Sequence, residues 1–336
     1  MPNPTISDLH VNTPLTDLSV AYTQDENNFV ASKMFPIIPV QKQGDKFYVW
    51  DIDDYRRTDA GPRAPGTRAP QSGPRLSDDS YFCDRVSLGY PISDPERANA
   101  DPAVSNLDAD ATEYLTQQIA IKDEQDFVTA AFATGLWFGA SSTEDMTGAS
   151  TAPATTTTHF LQWNDVASIP IEDIHGEQMS VLKRTGRKPN TLLLGAEVWN
   201  ALQDHPDILD RIKYTERGIV TEALVASLLG VDRVLIANAS NNTAAEESTS
   251  APTNAFILGK SALLAYVTPS PGLRTPTAGY QFVWVGETGT PPSGMGGRIK
   301  RYRDEPIESD VIEIDKWRDF KIVGSSLGAF FTGAVA

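Results

Sequence analysis

The chain has 336 residues and one cysteine, Cys83, so it cannot form an intramolecular disulfide and must rely on its core. That economy suits a reducing compartment, and a protein made and kept in a cytoplasm is expected. Its histidines, His10, His159, His175 and His205, stand far apart, with no HxxxH or HExxH spacing and no cysteine pair beside them. A protein metal site is therefore not expected. No apolar run approaches the ~20 residues that cross a bilayer, and MPNPTISDLH has no basic region leading into an apolar one, so the chain is read as soluble rather than membrane-inserted. Cations are scarce too: 28 basic residues stand against 44 acidic ones, a net charge of −16, which phosphate backbones repel. Sequence-specific nucleic-acid binding is not expected on that ground, although an acidic surface also serves plain solubility.

What is present is a 40% hydrophobic composition on a length that asks for a large core or two intimate subdomains. The most legible stretch runs from Lys183 to Ala239. An apolar run, Thr191 to Leu194, passes through Gly195 into Ala196 to Gln203, where Val198, Trp199 and Leu202 recur at helical spacing. Pro206 suits the first turn of a second helix, with Ile208, Leu209 and Ile212 as its stripe. Thr221 opens a third, carrying Leu224, Val225, Leu228 and Leu229, and Gly230 ends it before Val234 to Ala237 returns as a buried strand. The unit can bury a sheet under helices, and it carries no catalytic equipment.

This succession, with HPDILDRI and LLGVDRV in it, resembles the axial domain of the major capsid proteins of tailed bacteriophages, those of the Hong Kong 97 type fold. The likeness continues through Asn254 to Leu273, Thr277 to Gly286 and Arg298 to Phe331, and in the first half it lies in organisation more than in residues. The resemblance implies an α+β fold with an N-terminal arm (1–43), an extended β-hairpin loop (44–88), a peripheral domain (89–188) with a long spine helix near 106–132, an axial α/β domain (189–295), and return strands (296–336) completing the peripheral domain.

Residue patterns outside the axial unit bear on these expectations. Met1 to Pro39 carries scattered prolines and reads as an arm that needs another surface for order. Lys46 to Ile52 alternates as a strand and Ser80 to Leu88 reads as its return, a long hairpin that is marginal alone and should lie on something. Between them, Arg56, Arg57, Arg63, Arg68 and Arg75 meet only Asp59 as an acid. The local alternatives are a solvated loop or a contact element. The resemblance implies the second, an arm reaching over an acidic neighbour, with these arginines as intersubunit contact candidates. Some family members crosslink a lysine of this loop, but none lies between Lys46 and Lys122, which points to noncovalent locking. Asn106 to Phe132 is the longest helical pattern, capped from Ser105 or Asp108, and at ~1.5 Å per residue spans about 40 Å. Ile171 to Arg184 reads as a second peripheral helix with Ile171, Ile174, Val181 and Leu182 inward. Gly139 to Thr158 and Ser240 to Thr253 read as loops, and Glu308 to Phe331 as alternating strands.

Motifs that might carry chemistry are weak. Gly324 to Gly328 matches GxSxG around Ser326, but a nucleophile elbow needs a helix after it and Asp and His downstream, and none follows. Gly259-Lys260-Ser261 lacks the first glycine of a phosphate loop at Asn254. The glycines from Gly286 to Gly297 precede an alternating strand, whereas dinucleotide binding requires a helix there. Asp51, Asp53 and Asp54 read as a solvated strand face rather than a cation site. No enzyme, cofactor or metal is expected.

The expectation is a shell protein of the virion that assembles with itself as pentamers and hexamers around double-stranded DNA, in the cytoplasm of a bacterial host. The resemblance implies further partners: a separate scaffold protein, since no helical charged segment opens the chain, a portal, and a cement or decoration protein. An encapsulin-like compartment shell is the alternative within the same fold, and a soluble serine hydrolase using Ser326 the remote one.

Overall fold

The computed structural model describes residues 24–50, 52–100, 106–137, 145–153, 158–212, 220–244, 253–272, 275–286 and 298–336. Most of the expected N-terminal arm, Asp51, Ser105, parts of the 139–158 and 240–253 links, and the glycines from Gly289 to Gly297 lie outside the described residues.

Two sheets organise the chain. The first has five strands, ordered β1 (Ile37–Val40), β12 (Gly279–Trp284), β14 (Ser309–Ile322) and β13 (Arg298–Asp304), with β4 (Asp84–Ser93) also paired to β14. Helix α4 (Leu107–Ala131) lies along β14 and β4 and buries Leu115 and Ile119 against Ile92, Ile312 and Ile314. Its start is capped by Asn106, whose side chain accepts from the Ala109 N–H, in place of the expected Ser105 or Asp108. Asp108 is instead drawn off by Arg97 and Arg301.

The second sheet has six strands, β6 (His159–Leu161), β5 (Met146–Ala149), β15 (Gly328–Thr332), β11 (Ala262–Ala265), β7 (Thr191–Gly195) and β8 (Arg233–Ala237). Every residue of β7 and β11 is buried, because the sheet is covered on both faces. One face packs under α5 (Pro170–Thr185), α6 (Ala196–Gln203), α7 (Pro206–Ile212) and α8 (Glu222–Leu229) through Leu192, Leu194, Leu264 and Phe331. The other meets the end of α4 and a short helix α1 (Ala31–Met34) through Leu193, Leu263, Phe330, Phe127 and Phe35. That shared core joins the two sheets. The axial signals held locally: the Thr221 hydroxyl accepts from Leu224 N–H at 3.3 Å, and Gly230 ends α8 with φ 62°.

The structure departs from the sequence expectations in where strands find partners. The return strand is two strands: β3 (Leu76–Phe82) pairs with β2 (Gly44–Trp50), whereas β4 pairs with β14. The change of sheet occurs at buried Cys83, whose N–H is taken by Gln43 carbonyl at 2.8 Å. Strand β2 stops at Trp50, and Ile52–Arg56 forms a short helix, α2. The 14-residue β14 does not alternate in burial, since Asp315, Lys316 and Arg318 are buried as ion pairs. Helix α5, grouped from sequence with the peripheral residues, packs Ile171, Ile174 and Val181 on the six-stranded sheet, which offers it an apolar face, and Leu182 is only half-buried. Strands β5, β6 and β15 join that sheet too, so the tail completes both sheets rather than one. The loop expected at 240–253 begins and ends as a small hairpin, β9 (Ser240–Asn242) with β10 (Asn254–Phe256). The remaining helix, α3 (Asp94–Asn99), follows β4.

Candidate assembly surfaces

The β2–β3 hairpin packs its aromatic side chains at its base. There Tyr81 stacks on Phe282 with ring centroids 4.6 Å apart, and Phe47 tilts against the same ring at 5.5 Å. Antiparallel register places Tyr48 opposite Asp78 and Gly44 opposite Phe82 on the other face, so Leu76, Tyr48 and Phe82 share an exposed face with the Lys46–Asp78 ion pair, and no described residue covers them. A hairpin with apolar residues on both faces is built to be sandwiched.

At the tip the five arginines divide into two groups. Asp54, its side chain 4% exposed, accepts from Arg75 Nε at 2.8 Å and Nη2 at 3.3 Å, and from the Arg75 N–H at 2.9 Å. Arg57 lies 3.5 Å from the same carboxylate and 3.1 Å from Asp59. The Arg75 contacts hold the Asp54 carboxyl below its usual range. This corrects the reading of Asp54 as a solvated face: it sits on α2, not on a strand, and closes the base of the tip. Asp51 and the Asp53 side chain lie outside the described residues. Arg56 donates to the Arg184 carbonyl, Arg63 donates to the Thr67 carbonyl, and Arg68 has no carboxylate partner among the described residues. Among the described residues three guanidinium charges at the tip are thus left without an acid, while Arg57 and Arg75 are neutralised at home.

Two further charged clusters lie on opposite faces of the five-stranded sheet, the first between it and α4. Asp123 on α4 is held by Lys316 and Arg318 of β14, and Arg318 also reaches Asp126 at 2.9 Å. Beside it, Glu124 accepts the Val30 and Ala31 N–H groups at 3.0 Å each, clasping the N-terminal segment to the helix. Burial pushes this carboxyl up to about 7, against those two hydrogen bonds. On the sheet's other face, buried Asp315 gathers Lys300 at 2.5 Å, Arg85 at 2.7 Å and Arg298 at 3.3 Å. Burial opposes its ionisation, but these donors hold it down to about 2. Arg85 and Arg298 also lie over the Trp317 ring, 5.4 and 5.2 Å from its centroid.

The residues weighed for chemistry are built into structure. Ser326 lies in a single 3₁₀ turn that leads into strand β15, so the helix a nucleophile elbow needs is missing. A pair that sequence reading missed, Ser168 and His205, is 37 positions apart and lies 2.9 Å apart and buried. His205 Nδ1 accepts from the Asp207 N–H at 3.1 Å, so Nε2 carries the proton and faces the Asp165 carbonyl at 3.1 Å. A histidine in that tautomer cannot take the serine proton, and the Ser168 hydroxyl donates to the Asp165 carbonyl instead. Gly259 lies against Gly195, where β7 turns into α6, and so serves close packing rather than a phosphate. Among the described residues no group of His, Cys, Asp and Glu is arranged to hold a metal, and no helix is long and apolar enough to cross a membrane.

No family model matches the chain. The major capsid protein of Burkholderia phage BcepMu is 26% identical to it over 310 residues, 90% of this chain and 87% of that one. Among solved structures, a phage-related protein from Bordetella bronchiseptica RB50 superposes with a TM-score of 0.67 at 19% identity, over 91% of this chain and 92% of that one. The capsid of Cyanophage P-SCSP1u superposes with a TM-score of 0.60 at 12% identity, over 98% of this chain and 95% of that one. The chain has the Hong Kong 97 type capsid fold. The superposition takes in 98% of this chain, so hairpin, long helix and both sheets all fall within the capsid fold.

Proposed function

We infer that this chain is a major capsid protein, the subunit that self-assembles into the icosahedral head shell of a tailed phage. The observation that carries the reading is the 26% identity to a major capsid protein along 90% of the chain, joined to a capsid fold over its whole length. Its role is structural. The five-stranded sheet with α4 is the peripheral domain, α4 its spine helix, and the six-stranded sheet with α5 to α8 the axial domain whose edges meet copies of itself in pentamers and hexamers. The hairpin reaches over a neighbouring subunit and lays Leu76, Tyr48 and Phe82 against it, while Arg56, Arg63 and Arg68 set the register on acidic groups. Arg57 and Arg75 shape the tip rather than contact the neighbour. Exposed ion pairs contribute only ~0–1 kcal/mol each, so buried apolar area and repetition over many copies supply the stability.

Packaged double-stranded DNA is enclosed without sequence readout, in keeping with a net charge of −16. A separate scaffold protein, a portal and a cement or decoration protein complete the assembly, which takes place in the host cytoplasm. A cargo-holding compartment is disfavoured by the identity of the sequence relatives, and a hydrolase by the disarmed geometry at Ser326 and at Ser168. The test is electron microscopy of particles from the chain expressed with its neighbouring genes, together with their nucleic-acid content. Arg63→Glu with Arg68→Glu should cut particle yield at least tenfold while the subunit's circular dichroism stays unchanged. Wild-type yield from that double variant would remove the arginine tip from the assembly mechanism.

A further inference from the structure

Helix α5 carries on its outer side a stripe that no described part of the chain covers. Ile169, Glu172, Gly176, Met179, Lys183 and Gly186 are all exposed and recur at alternating spacings of three and four residues, the pattern by which one helix offers a seam to another. Ile169 is 53% and Met179 64% exposed, large apolar side chains on either side of Gly176. Gly176 stands mid-helix with nothing within 4 Å of the place where a Cβ would be. A glycine there weakens the helix, and the open space shows that no described element of this chain needs the room it leaves. Gly186, which ends the helix at φ 72°, is equally open.

The stripe is complementary to itself when reversed. About a point between Glu177 and Gln178, Met179 falls opposite Gly176, Ile169 opposite Gly186, and Lys183 opposite Glu172. Each projecting side chain meets a gap, and each cation meets an anion. Lys183 has no carboxylate partner among the described residues. Glu172 touches Arg211 of its own chain yet keeps 48% of its side chain exposed, so it can serve both cations. His175 falls opposite Ser180 in the same register, two groups able to share a hydrogen bond. A parallel pairing would instead stack Met179 on Met179 and Lys183 on Lys183. Self-complementarity under reversal is the mark of a two-fold, isologous contact.

We propose that α5 of one subunit lies antiparallel against α5 of a second copy across a two-fold axis, with Met179 seated over Gly176 and Lys183 paired with Glu172. The proposal rests on the shell reading above and adds a contact of different symmetry from the head-to-tail hairpin arms. One helix crossing is far below the roughly 1,600 Å² of a self-sufficient interface, so it acts only in repetition, beside the arms.

Mixed particles provide the test: one chain carrying Gly176→Cys and a second, tagged to differ in size, carrying Met179→Cys are co-expressed, and assembled particles are mildly oxidised. Cys83 is buried and its thiol is pushed up to about 12, so it does not compete. A disulfide-linked pair of one tagged and one untagged chain is expected. Its absence from particles that contain both chains overturns the pairing, and linkage to a co-purifying scaffold protein instead overturns it in favour of that occupant. Gly176→Leu, a better helix former placed in open space, should fold normally by circular dichroism yet lower particle yield at least tenfold. Adding Met179→Ala, which exchanges knob and hole, should recover most of that loss. Unchanged yield for Gly176→Leu, or no recovery in the exchanged variant, also overturns the pairing. A wild-type chain that forms no particles would sink the shell reading itself, a result distinct from all of these.

Discussion

Replacing Glu124 by glutamine keeps the shape of the clasp on Val30 and Ala31 and removes its charge. In the folded chain burial raises this carboxyl from the ordinary 4.5 to about 7. Below pH 4.5 it is protonated folded or unfolded, and it costs nothing. Between 4.5 and 7 the unfolded chain releases the proton that the folded chain keeps, so stability falls as pH rises, and above 7 the loss is complete. At ~1.4 kcal/mol per tenfold change, that loss is about 3 kcal/mol. Glutamine escapes it, and like the protonated wild-type carboxyl it accepts the two N–H bonds, 3.0 Å in the wild type, through a neutral oxygen. Glu124→Gln should therefore gain about 3 kcal/mol at pH 8 and change stability little at pH 4. Urea unfolding of the purified chain at both pH values measures this. Two curves shifted equally at both pH values would refute the reasoning. Glu177, raised to about 7, and Asp173, raised to about 6, share the cause and should steepen the wild-type decline over the same range.

Other substitutions test the packing. Phe127→Ala empties the junction of the two sheets, where the ring lies 5.1, 5.8 and 5.9 Å from those of Phe35, Phe132 and Phe320, and should cost about 3–5 kcal/mol in the same unfolding assay. Gly195→Ala would bring a Cβ to 2.2 Å from the Gly259 carbonyl oxygen, backbone against backbone, so soluble expression should collapse. Asp315→Asn leaves Arg85, Arg298 and Lys300 crowded around Trp317 and should cost about 3 kcal/mol at pH 7, seen as a lowered melting temperature. Because that carboxyl is held near 2, its wild-type contribution is full above 3.8 and disappears only as pH falls through about 2, so a pH 5 melt should show no loss.

The unit from Thr191 to Ala237 was legible because its signals are local. An apolar run, a glycine turn, the Thr221 cap and the Gly230 stop each act within one turn of helix. Strand partners are not local. Alternation continues on both sides of Cys83, so nothing in the sequence marks the residue where the chain leaves β2 for β14. Likewise Phe330 and Phe331 look like one more return strand, although they lie between β5 and β11 in the other sheet. The tip arginines were found by composition, yet their division was hidden because Asp54 stands just outside the basic window and is buried by Arg75 from the far side of the loop. Buried charges were the least readable. Lys316 and Arg318 sit where alternation expects solvent, and only the fold brings Asp123, about 190 residues earlier, onto them.

The passage of β14 into β15 has a consequence in time. Residues 309–322 form the middle of one sheet and residues 328–332 lie inside the other, so on the ribosome both sheets stay open until this stretch has emerged. A half-made subunit therefore presents neither finished domain to its neighbours.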